Sequence, residues 1–225
     1  MWPAAFSEHC HLHGTRVLEP EPIMSTLEEI ALEVAECQRC PLGKLRTRAV
    51  PGEGPPNAEV LFIGEAPGWH EDQQGRPFVG PAGQLLDQLL ALAGLRRSEV
   101  FITNIIKSRP PNNRDPLPAE VEACRPWLDA QLAALNPRVV VTLGRYSAAR
   151  YFPREPMSRI HGQSYQREGM IVVPMYHPAA ALHQGSLRAT IETDFRKLPA
   201  ALAQARALPR SAEAPEERPQ QLSLF

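Results

Sequence analysis

The chain has no apolar run that could span a bilayer, for which about 18 residues are needed. It also lacks the basic start of an export signal, because between Met1 and Gly14 the apolar letters are broken by Glu8, His9, His11 and His13. A cytoplasmic protein with no membrane partner is the expectation. Excess positive charge is missing too: 24 Lys+Arg stand against 25 Asp+Glu, a net charge of -1, which argues against a protein that coats nucleic acid nonspecifically. The glycines of Gly64-Glu65-Ala66-Pro67-Gly68 form neither G-x-G-x-x-G nor a P-loop, since no Lys-Ser/Thr follows them, so a nucleotide-phosphate cradle is not expected. No internal repeat is present, and cysteine is limited to four residues.

What remains is the composition of a globular protein, 43% hydrophobic and 22% charged. The 225 residues suit one compact core with flexible ends. Charge is uneven: residues 31–209 hold 21 cations and 17 anions, so the middle is positive while the ends are acidic. Much of the proline, 24 residues in all, falls in 51–81, 110–118 and the tail, which implies long shaped loops of the kind that carry function.

Residues 1–23 show no period and read as a disordered extension. Ser25 followed by Glu28 is a capping-box signature ahead of an amphipathic helix to about Glu36, so order is expected from Met24, which could itself be the true start. Strands are expected near Glu59–Ile63, Val100–Thr103, Val139–Leu143 and Ile171–Pro174. Helices are expected near Ala82–Ala93, Ala119–Leu135, Arg145–Tyr151 and Leu187–Ala205. The alternation predicts an α/β fold, a three-layer α/β/α sandwich with a central parallel sheet of about four strands over 24–207. The segment 208–225 reads as a solvated tail.

Ligands of such sheets sit outside the carboxyl ends of the strands. There the sequence places Gly64-Glu65, Asn104, Gly144 and Tyr176-His177, so a carboxylate, an amide and an imidazole converge on one crevice. The segment 71–80 reads either as part of that site or as a polar connector with one buried Phe78. The run from Ile102 to Pro116 sets Lys107, Arg109 and Arg114 on a proline-stiffened loop, either a phosphate-gripping loop or a solvated one.

Three ordered motifs carry a resemblance. They are Gly64–Gly68 extended by Glu71-Asp72 and Gly75–Gly80, then Ile102-Thr103-Asn104 followed by Lys107, Arg109-Pro110-Pro111 and Asn113-Arg114, then Tyr176–Ala180 with Leu182. From about Leu27 to Leu198 the chain resembles the uracil-DNA glycosylase superfamily, specifically its family 4 enzymes. The resemblance implies hydrolysis of the N-glycosidic bond of uracil in single- or double-stranded DNA, leaving an abasic site without strand cleavage. It implies Asn104 as the specificity amide, Phe78 as the ring stacked on the extruded base, and His177 as the donor to uracil O2. Glu65 would handle the water, with Asp72 as the alternative carboxylate, and Gly64 and Ala66 would line the base site. Glu71 would exclude the methyl group of thymine. Lys107, Arg109, Arg114 and His161 would contact DNA, His161 in an Arg159–Gln163 loop similar to one where a related branch traps the sugar covalently.

Family 4 members hold a 4Fe-4S cluster on four thiolates. Cys37, Cys40 and Cys124 match three of them, and Ser108 stands at the fourth place. A cluster with an oxygen or exogenous ligand, a degraded cluster and no metal are all open, and Cys10 is a remote substitute. Gln221, Leu222, Leu224 and Phe225 belong to a terminal Q-L-S-L-F resembling peptides that bind bacterial sliding clamps. A monomeric enzyme is expected. A silent DNA- or clamp-binding member of the fold, a glycosylase of broader deaminated-base range and a hydrolase of free nucleosides are the alternatives.

Overall fold

The computed structural model describes residues 26–209. The expected extension over 1–23, the choice between Met1 and Met24, and the terminal peptide fall outside the described residues. The first helix, α1 (Leu27–Glu36), has its capping box one residue later than expected: Thr26 Oγ1 accepts from Glu29 N–H at 3.2 Å, and Glu29 Oε2 accepts from Thr26 N–H at 2.7 Å. A short helix α2 (Leu42–Leu45) follows, then strand β1 (Val60–Gly64). Helices α3 (Trp69–Gln74) and α4 (Pro81–Leu92) lead to β2 (Phe101–Asn104). Next come α5 (Pro118–Leu135), β3 (Val139–Leu143), α6 (Arg145–Ala148) and α7 (Met157–Ile160). Strands β4 (Tyr165–Arg167) and β5 (Met170–Met175) precede α8 (Pro178–His183), α9 (Leu187–Phe195) and α10 (Leu198–Arg206).

The sheet has five strands rather than about four, in the order β2-β1-β3-β5-β4. Four run parallel, and β4 pairs antiparallel with β5 at the edge. The added strand comes from a two-residue turn in which Glu168 (φ 49°) and Gly169 (φ 78°) both take positive φ, the geometry that reverses a twisted hairpin. Sequence pattern misses β4 because Tyr165-Gln166-Arg167 is polar and largely exposed.

The parallel strands are apolar on both faces because helices cover both. Val60, Phe62, Val141 and Val173 point into one cluster with Leu86, Leu89, Ile191, Phe195 and Leu198. Leu61, Ile63, Val140 and Val172 point into the other with Leu128, Leu135 and Ile160. The helix expected over Leu187–Ala205 is two helices, since Pro199 lies in the first turn of α10 and has no amide to continue a ladder. The helix expected at Arg145–Tyr151 stops at Ala148. Every parallel strand thus delivers its carboxyl end to the same edge, which is where the site lies.

Candidate active site

The registers align Gly64 of β1 beside Asn104 of β2, while β3 and β5 end at Leu143 and Met175. Their continuations form a cleft of about 650 Å³ lined by Glu65, Ala66, Glu71, Phe78, Asn104 and His177, among others. Close approach is what builds its floor. A Cβ on Gly64 would lie 2.3 Å from Asn104 Oδ1 and 2.6 Å from Phe78 Cζ, so only the missing side chain lets the amide and the ring converge. Asn104 is 1% exposed, yet its Oδ1 has no hydrogen-bond partner. A buried acceptor left empty costs about 1–3 kcal/mol, so it marks a place for a donor that arrives from outside.

Phe78 itself is held from several directions. Its φ of +50° is unusual for a bulky residue, and its carbonyl sits where a Cβ on Gly83 would come within 1.9 Å. Arg97 donates to the carbonyls of Phe78 at 3.1 Å and Pro77 at 2.5 Å. Glu71 Oε1 accepts from the N–H groups of Val79 and Gly80, each at 2.9 Å, while its Oε2 accepts from Gly68 N–H at 3.1 Å. One carboxylate therefore ties the loop after β1 to the loop that carries the aromatic ring, which stacks on His177 at 5.5 Å and 28°.

His177 precedes α8, where its Nδ1 accepts from Ala179 N–H at 3.1 Å. That bond assigns the proton of the neutral ring to Nε2, leaving Nε2–H as the free donor. Burial pushes the imidazole pKa down to about 4, against a smaller opposing pull from Glu71, so the ring is neutral near pH 7. Glu65 is shifted the other way. Burial raises its pKa to about 7, helped by the charge of Asp115 and opposed by Arg145. Asp115 lies on the cleft wall and accepts from Arg145 Nη2 at 2.7 Å and from Tyr146 Oη. Sequence reading passed over Asp115, although it directly follows Arg114 in the basic loop.

Position sets several of the expected residues apart from the cleft. Asp72 is not in the cleft lining; it is 3% exposed and its Oδ1 accepts from Thr47 N–H at 2.9 Å, which anchors the segment after α2. Lys107 cannot reach a phosphate. Its Nζ is buried and donates to Gln131 Oε1 and Thr103 Oγ1, each at 2.6 Å, and to the Asn104 carbonyl at 2.8 Å. Burial lowers its pKa to about 7. Arg109 Nε donates to Asn113 Oδ1 at 2.6 Å, and Arg114 grips Glu120 through two bonds of 2.9 and 2.7 Å at the start of α5. Of the three cations only Arg114 lines the cleft. His161 lies outside that lining, with Nδ1 2.6 Å from Asp194 Oδ2 and its ring 4.8 Å from Tyr176.

Cys37, Cys40 and Cys124 do come together with Ser108, around a cavity of about 10 Å³. Trp127 Nε1–H donates to Cys37 Sγ at 3.2 Å, and Lys107 N–H donates to Cys124 Sγ at 3.3 Å. Arg46 also lines this space: it donates to Ser108 Oγ at 3.0 Å, to the Ala35 carbonyl at 2.7 Å and to the Cys37 carbonyl at 3.1 Å. Among the described residues, three thiols and one hydroxyl engaged by a guanidinium do not supply the four thiolates of a 4Fe-4S cluster.

The model of the Uracil DNA glycosylase superfamily matches residues 51–202. A type-4 uracil-DNA glycosylase of Sulfurisphaera tokodaii is 49% identical over 185 residues, 78% of this chain and 84% of that protein. One from Archaeoglobus fulgidus is 47% identical over 78% of this chain and 92% of its own, and one from Thermotoga maritima is 40% identical over 76% and 92%.

The cysteine site carries a direct test. Ser108→Cys should raise iron and acid-labile sulfide per chain and add visible absorbance relative to the wild type. Equal iron and equal absorbance in the two proteins would show that position 108 does not decide occupancy.

Proposed function

From the chain's place in the type-4 branch of the uracil DNA glycosylase superfamily, to which it belongs, we propose that it hydrolyses the N-glycosidic bond of uracil in DNA and leaves an abasic site. The observation that carries this reading is the partnerless buried oxygen of Asn104, set beside Phe78 and His177 in one cleft. Uracil offers N3–H to that oxygen and O4 to the Asn104 amide nitrogen. Cytosine reverses both groups and leaves the carboxamide unpaired, at a cost of about 1–3 kcal/mol for each buried polar group.

In the proposed reaction the C1′–N1 bond breaks and its electron pair leaves with the base. His177 Nε2–H donates to O2 as negative charge gathers there, the electrostatic form of catalysis. A neutral imidazole suits this task, since it stabilises the anion by hydrogen bonding and keeps its proton. Water attacks C1′ on the face served by Glu65, and the carboxylate takes the water's proton. Phe78 stacks on the extruded base, and Glu71 positions Phe78 by holding its loop. No step passes through a metal.

A second partner is proposed from sequence alone: the peptide Gln221-Leu222-Ser223-Leu224-Phe225 would dock on a bacterial sliding clamp, Leu224 and Phe225 filling an apolar pocket and Gln221 fixing register.

Incubation with a uracil-containing oligonucleotide should give strand scission only after alkali. Asn104→Asp and His177→Ala should each lower uracil release by about 10²-fold or more, and full activity in both would refute the site. Glu65 acts as the carboxylate, so kcat/KM should fall about ten-fold per unit as pH drops below about 7, the point where Glu65 takes up its proton. Glu65→Gln should be slow and should lose this acidic limb; a limb unchanged in the variant would assign it elsewhere. Deleting 221–225 should abolish co-elution with the clamp and leave turnover on short oligonucleotides intact. Co-elution that survives the deletion would eliminate the peptide as the ligand.

A further inference from the structure

The proposed reaction uses the floor of the cleft and leaves its mouth without a role. Two of the large apolar side chains that the described residues expose belong to the cleft lining: Trp69, 53% exposed, at the start of α3, and Leu182, 49% exposed, on α8. The Trp69 indole lies edge to face against the His70 ring, with centroids 5.0 Å apart and planes at 87°, and its own faces are left for another ring. The loop meant to grip phosphates is largely engaged elsewhere. Lys107 is buried, Arg109 bonds to Asn113, and Arg114 is paired with Glu120. Arg145 is paired with Asp115, and the lining itself carries the carboxyl groups of Glu65, Glu71 and Asp115. Phosphate attraction is therefore offset by carboxyl groups at this mouth, and stacking is a second source of affinity. Every base has a π-face, so an aromatic platform grips a strand without regard to sequence, which suits an enzyme that must accept uracil in any context.

Building on the proposed activity, we propose that Trp69 is a stacking platform for a base of the uracil-bearing strand adjacent to the extruded nucleotide. It is a positioning residue that holds the strand over the cleft while the floor selects the base.

The test uses the full chain and two short single-stranded oligonucleotides, identical except that one contains uracil. Tryptophan emission should be partly quenched by either strand, and the quenching should be largely missing in Trp69→Phe. Trp69→Ala should bind both strands about ten-fold more weakly at fixed salt, with inhibition by free uracil unaltered, whereas Trp69→Phe should bind nearly as the wild type does. Trp69→Ala binding as tightly as the wild type, or equal quenching in Trp69→Phe, would overturn the proposal. A wild type that binds through Trp69 yet releases no uracil would sink the enzymatic reading and leave the platform standing.

Discussion

The arrangement turns on a contact that only a missing side chain permits. With Gly64 at the end of β1, the Asn104 carboxamide and the edge of Phe78 lie where a Cβ would otherwise be, and the amide oxygen faces the cleft without a partner. Much of the neighbourhood serves to keep that contact. Lys107 holds the Asn104 carbonyl from behind, Glu71 binds three backbone amides across the two loops, and Arg97 fixes the carbonyls of Pro77 and Phe78. Such preorganisation matters because a site that had to assemble around its base would lose selectivity to the cost of ordering.

The same low-dielectric setting acts in opposite directions on two titratable groups. Burial raises Glu65 and lowers His177, in each case by disfavouring the charged form. The imidazole is thereby a neutral donor throughout the physiological range, and the carboxyl group is poised near neutrality for proton transfer. Two of the loop cations also brace the scaffold, Arg114 holding the Glu120 that caps α5 and Lys107 holding the Gln131 that also meets Thr103 of β2.

The sheet was legible because β1, β2, β3 and β5 are largely apolar runs, and the convergence of Glu65, Asn104 and His177 followed from where β1, β2 and β5 end. What escaped had local reasons. Ser25-Thr26 and Glu28-Glu29 offer two equivalent capping registers, so the pattern could not choose between them. Strand β4 has too few apolar residues to show a period. Lys107 and Asp72 are charged residues of loop-like segments, and nothing in a linear pattern says that Thr103 with Gln131, or Thr47, waits to receive them. Glu71 was read as a selector of bases because its motif position suggests it; its bonds to backbone amides are visible only once the two loops are folded together.

Arg46 joins the end of α1, through the carbonyls of Ala35 and Cys37, to the loop after β2, through Ser108. A guanidinium therefore knits these segments with ordinary hydrogen bonds, in the space that Cys37, Cys40 and Cys124 also line. That seam couples the two segments, so a change at Ser108 is felt by α1 as well as by the chain that leaves β2 just past Asn104.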